Sequence, residues 1–420
     1  MMSSAAMVEE RLALLGGEPA CKFSWPRWPV HDATEERSLL EVLHSGAWWY
    51  GERVRQFERD FAAYQGAAYA VSCTNGTTAL EMALRALGVL PGDEVIVPPY
   101  TFIATASSVA TLGAIPVFAD IDPATLCLDP HDAERKITAR TKAIVPVHVG
   151  GRIADMAAIN ELASRHGLAV LEDAAHAWGS RSGGRGAGTL GACGTFSFQV
   201  SKNMTAGEGG VLVTQNEELA DLCRSFSHCG RGKDGAWYDH PFLGSNLRLT
   251  EFQAAILLAQ LGRLDEQLHR RARSASLLDA ALADVPGIRL LAPAPDMDRR
   301  SYHMHVFRID QQALGIDRAT FLKALAAEGV PASAGWYQPL YRNGVFANAH
   351  RLQPHGIRAP LAAAGVDYSD VSCPACEQAC RDAVWLMQDL LLAEEWQIER
   401  LAMAIRKVAG NARVLGAAGR

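Results

Sequence analysis

Six short apolar runs alternate with helical patterns through the first half of this 420-residue chain: EVIV (94–97), PVFA (116–119), AIVPVH (143–148), LAVLED (168–173), TFSF (195–198) and GGVLVT (209–214). Each run is apolar on both faces, so a strand built from it must be covered on both sides. With helices between them, the pattern predicts an α/β fold with a mostly parallel central sheet sandwiched by helices. Ligands of such sheets gather at the carboxyl ends of the strands. Asp173, Ser197 and Lys202 all fall at or just beyond predicted strand ends.

Helical spacing is clearest at Val54, Phe57, Phe61 and Tyr64, and again at Leu80, Leu84 and Leu87. Thr250 and Gln253 are spaced as a capping box ahead of a long helical pattern, which reads as the bridge out of a large domain. We therefore expect a large domain over 1–262, with an irregular Trp/Pro-rich opening, and a smaller C-terminal α/β domain over 263–420. The small domain is expected to hold a strand at YHMHVFRI (302–309), a helix at RATFLKALAAEG, and final helices around VWLMQDLLL and EEWQIERLAMAIRKV.

Several functions are disfavoured by composition. The net charge is −6 and the 40 basic residues are scattered, leaving no electrostatic footprint for nucleic acid. No stretch reaches the length of about 18 apolar residues that a membrane helix needs, and acids stand where a signal peptide wants a basic start. A cytoplasmic protein acting on small molecules is expected. The spacing of Cys373, Cys376 and Cys380 looks like metal ligation, but no second ligand pair completes it; Pro374 in a first helical turn explains the segment, and no metal is expected. Gly186, Gly188 and Gly191 formally match a dinucleotide-binding pattern, without a preceding strand or a following helix.

Two residues make a more specific chemical demand. A pyridine-ring cofactor that acts as an electron sink needs an acid to keep its ring nitrogen protonated and a lysine amine to hold its aldehyde as an imine. Asp173, in EDAAH, and Lys202, in SFQVSKNMTAGEGG, answer those demands. TNGTTALEMAL (74–84) adds a polar turn opening a helix, where backbone N–H groups of Gly76, Thr77 and Thr78 favour an anion. Taken singly, each has a structural explanation as a cap, a strand-end acid or a surface lysine.

Together, TNGTTAL, PPYTFIAT, EDAAH, SFQVSKNMTAGEGG and GSNLRLTEFQAA resemble the DegT/StrS family of pyridoxal 5′-phosphate-dependent aminotransferases. The resemblance runs from WPVHD to the final helices and implies the aspartate aminotransferase-like fold. It implies that Lys202 binds the cofactor aldehyde and that Asp173 pairs with the pyridine nitrogen. By the same likeness Ser197 and the Gly76 and Thr77 amides hold the phosphate, Phe102 and Ala175 cover the ring faces, and His176 lies near the phenolic oxygen. Asn246 matches an asparagine that reaches the neighbouring subunit's phosphate, which implies a homodimer with shared active sites.

The family's substrates are keto-sugars and keto-cyclitols, with glutamine or glutamate as donor. Many sugar-directed members read GYNYR where this chain reads GSNLR (244–248), and Trp48-Trp49 adds a further likeness to the cyclitol aminotransferases and to the 3-amino-5-hydroxybenzoate synthases. An aromatising synthase and a non-catalytic protein on the same fold are the alternatives; the presence of both Lys202 and Asp173 disfavours the second. Arg231, Arg248 and Arg308 are candidates for the donor carboxylate, and Trp48, Trp49, Tyr302, Tyr337 and Tyr341 for a polyol pocket.

Overall fold

The computed structural model describes residues 11–233, 236, 238–347, 361 and 365–418. Its strands are β1 (Tyr69–Cys73), β2 (Glu94–Val97), β3 (Ile115–Phe118), β4 (Thr141–Ile144), β5 (Ala169–Asp173), β6 (Arg181–Ser182), β7 (Arg185–Gly186), β8 (Cys193–Ser197), β9 (Gly210–Thr214), β10 (Ile288–Leu290), β11 (Met297–Arg299), β12 (Met304–Ile309) and β13 (Ala383–Met387).

The central sheet has seven strands in the order β1-β9-β8-β5-β4-β2-β3. From β3 to β8 neighbouring strands run parallel, and β9 is antiparallel to both β8 and β1. All four residues of β2 and all five of β8 and β9 are buried, as runs apolar on both faces require. Val95, Ile96, Ile144 and Leu171 form the centre of the core between sheet and helices; burying each side chain contributes roughly 1.5–3 kcal/mol.

All six expected runs contain strands, but β1 escaped the sequence reading. Its polar Ser72 breaks the apolar pattern, and the fold accommodates it through buried Glu58, whose Oε1 accepts from the Ser72 N–H at 2.9 Å and from its hydroxyl at 2.7 Å. Two helices begin at polar residues that the sequence marks as starts. Thr250 and Gln253 form the reciprocal box that opens the helix Glu251–Leu282. Asn75 accepts from the Thr78 N–H at 2.9 Å and opens the helix Gly76–Ala86.

A second core gathers Phe307, Phe321, Ile398 and Leu401 with Leu278 and Leu282 from the end of the long helix; Leu12 and Cys21 of the opening segment pack into it too. Its three-stranded sheet has the order β10-β12-β13. Here VWLM, expected as helix, is strand: β13 pairs antiparallel with β12, Val306 opposite Trp385. An apolar run this short carries no periodicity that separates helix from strand, and the free edge of β12 decides it. The segment 374–382 is a helix with Cys373 at its cap, and the Cys376 and Cys380 sulfurs lie 4.0 Å apart inside the protein. Among the described residues, no helix is long and apolar enough to cross a membrane.

Candidate active site

Parallel pairing of β5 with β8 sets Asp173 opposite Thr195, so both strands end at the same edge of the sheet. The helix Gly76–Ala86 points its amino end at that edge. Its approach is close: a Cβ on Gly76 would stand 2.7 Å from Ser197 Cβ, so only glycine lets this helix come so near. Between these elements lies a cavity of about 680 Å³ lined by Gly76, Thr77, Ser197, Asp173 and Lys202. Phe102, Ala175 and His176 line it as well. The structure thus brings together eight of the nine residues that the resemblance assigns to the cofactor.

Asp173 is buried, and its carboxylate is held on both sides. Thr105 donates its hydroxyl to Oδ2 at 2.8 Å, and the Ala175 N–H donates to Oδ1 at 3.2 Å. Burial pushes the carboxyl pKa up, opposed by these two hydrogen bonds and by the charge of Lys202. Lys202 sits in the turn after β8, its N–H bonded to the Gln199 carbonyl at 2.9 Å. Removal from water lowers its amine to about 8, with Asp173 pulling the other way. The cavity therefore combines a fixed acid with an amine that deprotonates far more readily than a surface lysine.

His176 is held as a neutral ring: burial first, then the charge of Lys202 and the neighbouring His303, depress its pKa well below the ordinary range. Phe102 is 61% exposed, an aromatic face open to a planar ligand.

Asn246 does not reach this cavity. It lies exposed in a short antiparallel bridge with His228. Arg231 and Arg248 belong to the same stretch, outside the cavity, with the Arg248 guanidinium 5.2 Å above the Trp49 ring. Arg308 is excluded as an anchor because it forks onto Asp382 with two bonds of 2.8 Å. None of the five aromatic candidates lines the cavity. Tyr341 is instead a core residue, its hydroxyl donating to Glu377 at 2.7 Å.

The glycines of the dinucleotide-like pattern have an internal partner. Glu172 accepts the N–H groups of Gly188, Leu190 and Gly191 at 2.7, 2.6 and 2.6 Å, and its Oε2 meets His148 Nε2 at 2.8 Å. A carboxylate of the protein fills the cradle that an external phosphate would need.

Sequence reasoning missed Thr105 and its neighbour Thr101, whose hydroxyls are 2.9 Å apart. Their spacing of four residues in PPYTFIAT was the available signal, and it lacked meaning without Asp173 beside it.

The profile of the DegT/DnrJ/EryC1/StrS aminotransferase family matches residues 29–387. The 3-amino-5-hydroxybenzoate synthase of Amycolatopsis mediterranei (strain S699) is 41% identical over 396 residues, 92% of this chain and 98% of the relative. An L-glutamine:2-deoxy-scyllo-inosose aminotransferase of Micromonospora echinospora is 39% identical over 428 residues, 96% of this chain and 99% of the relative. The crystal structure of 3-amino-5-hydroxybenzoic acid synthase superposes with a TM-score of 0.82 at 39% identity, covering 93% of this chain and 99% of that one.

Proposed function

Since the chain belongs to the DegT/DnrJ/EryC1/StrS aminotransferase family, we propose that it moves an amino group from glutamine or glutamate to the ketone of a keto-sugar or of a keto-cyclitol of the scyllo-inosose kind. The observation that carries this reading is the single cavity in which Lys202 and Asp173 meet the amino end of a helix.

The cofactor is pyridoxal 5′-phosphate, and the cavity's chemistry fits it. With no Cβ at Gly76 the helix start comes up against Ser197, so the Gly76 and Thr77 N–H groups and the Ser197 hydroxyl would hold the phosphate together at the positive end of the helix. Asp173 would pair with the ring nitrogen, His176 with the phenolic oxygen, and Phe102 and Ala175 would cover the ring faces. Bound there, the pyridine ring supplies an electron sink for charge developing on the carbon that bears the amino group.

The chain's own residues do the rest. Thr105 and the Ala175 N–H keep the Asp173 carboxylate from turning, so that it holds a proton at the ring nitrogen. Lys202 Nζ, which burial makes easy to deprotonate, takes the proton from the donor's Cα and delivers it to the carbon on the other side of the transferred nitrogen. The same site then accepts the ketone, and the proton moves in the opposite direction. Water is kept from the far side of the site by the packed rings behind His176.

We assign Asn246 and the donor carboxylate's anchor to the 228–248 stretch of a neighbouring subunit in a homodimer. Trp48 and Trp49, adjacent and both exposed, with Trp49 against Arg248 of that stretch, support the assignment as apolar surface that a partner subunit would cover. We place the boundary between a large cofactor-binding domain (1–262) and a small domain (263–420) within the helix Glu251–Leu282. The setting we propose is cytoplasmic, in making an amino sugar or aminocyclitol antibiotic precursor.

A second reading, an aromatising synthase, is favoured by the 41% identity to the Amycolatopsis relative. Incubation with glutamine alone separates the two: an aminotransferase yields the keto acid and the aminated cofactor, and a synthase yields neither. A panel of keto-sugars, scyllo-inosose and 2-deoxy-scyllo-inosose then identifies the acceptor.

A further inference from the structure

Behind His176 a second buried histidine, His303, lies ring against ring with it, the centroids 4.2 Å apart and the planes inclined by 30°. Trp336 stacks near His176 with its centroid 6.0 Å away, and Trp178 meets His303 edge-on at 5.8 Å. Beyond keeping water from the far side of the site, His303 has no role assigned above, and the hydrogen bonds of the two histidines fix where their protons sit.

Asn203 Nδ2 donates to the Ser301 carbonyl at 2.8 Å, which leaves Oδ1 as the acceptor facing His303 Nδ1 at 3.0 Å. His303 must carry its proton on Nδ1. For His176, Nδ1 accepts from the Gly150 N–H at 3.4 Å, so its proton is on Nε2. Ser301 also donates its hydroxyl to the His176 carbonyl. Tyr302, between Ser301 and His303, has φ of 48°, a region that side chains other than glycine rarely adopt. The twist there lets Ser301 and His303 both reach Asn203, the residue directly after Lys202.

We propose that His303 is a positioning residue: tethered by Asn203 and packed ring against ring on His176, it keeps that ring turned so that Nδ1 meets the Gly150 N–H and the proton stays on Nε2, and it couples the ring to the lysine turn. Among charged groups, Lys202 faces both rings and Arg271 faces His303, so protonation of either ring is opposed; burial is the larger cause. The proposal rests on the cofactor reading only for what the Nε2–H meets, because the tautomers belong to the protein alone.

Nitrogen-15 histidine spectra of the full-length protein, with cofactor and after its removal, test this directly. In the wild type we expect His176 protonated on Nε2 and His303 on Nδ1, with neither ring titrating near the ordinary histidine value of about 6.5. In a folded His303→Leu variant we expect the Gly150 bond to loosen and the His176 tautomers to mix, while burial keeps the ring hard to protonate. Opposite or mixed tautomers in the wild type would overturn the proposal, whether or not the variant folds. An unchanged His176 in a folded variant would overturn it equally. Failure to bind pyridoxal 5′-phosphate, with the expected tautomers in place, would count against the cofactor reading and leave His303's role standing.

Discussion

Thr105 donates its hydroxyl to Asp173 Oδ2 at 2.8 Å across 68 residues of sequence. The carboxylate at the end of β5 is therefore oriented by a side chain from the first turn of the helix Ala104–Thr111, three residues after Phe102. A hydrogen bond to a charged group contributes about 1.5–3 kcal/mol. We expect Thr105→Val to fold and to weaken cofactor binding by roughly tenfold to a hundredfold. Absorbance titration measures this, and an unchanged dissociation constant would remove Thr105 from the site.

Lys202 gives a pH dependence of known sign. In the cofactor-free protein its amine titrates near 8, below its ordinary 10.5. Capture of the aldehyde needs the neutral amine, so its rate should rise about tenfold per pH unit up to about 8 and then level off. The unfolded chain binds more protons between those two values, so stability should increase with pH through that window. Lys202→Met should flatten the stability profile there, as read by urea unfolding at several pH values.

Glu172 satisfies the N–H groups of Gly188, Leu190 and Gly191 as well as His148, and its side chain and that of His148 are fully buried. Glu172→Ala leaves these donors without a partner, at a cost of roughly 3 kcal/mol or more. Denaturant unfolding should register that loss. A variant as stable as the parent would mean that water or another group replaces the carboxylate.

If Asn246 serves the neighbouring subunit, inactive Lys202→Ala and inactive Asn246→Ala chains should complement each other when unfolded and refolded together. A hybrid dimer holds one site with both changes and one with neither. Random pairing should recover about a quarter of the parental activity. No recovery from mixed dimers confirmed by mass would place Asn246 within its own chain's site, or outside any site.

Much of this was legible in the sequence, for local reasons. Asp173, Ser197 and Gly76 stand at strand ends or a helix start, and short-range patterning marks those positions without knowledge of the fold. Thr105 and His303 were not legible because their importance is tertiary: each is defined by a residue far away in the chain, Asp173 or His176. β1 and β13 failed for a related reason. A buried Ser72 makes sense only once Glu58 is opposite it, and VWLM becomes strand only because the β12 edge is there to pair with. Asn246 carries a motif, yet it lies outside its own chain's cavity, because a local motif carries no distances.

The central claim is that Lys202 is the residue that holds pyridoxal 5′-phosphate. Borohydride reduction of the purified protein, followed by digestion and mass mapping, tests it most directly. We predict loss of the visible absorbance band together with a stable pyridoxyl adduct on the Lys202 peptide and on no other. An adduct on a different lysine, or none at full cofactor occupancy, would contradict the account.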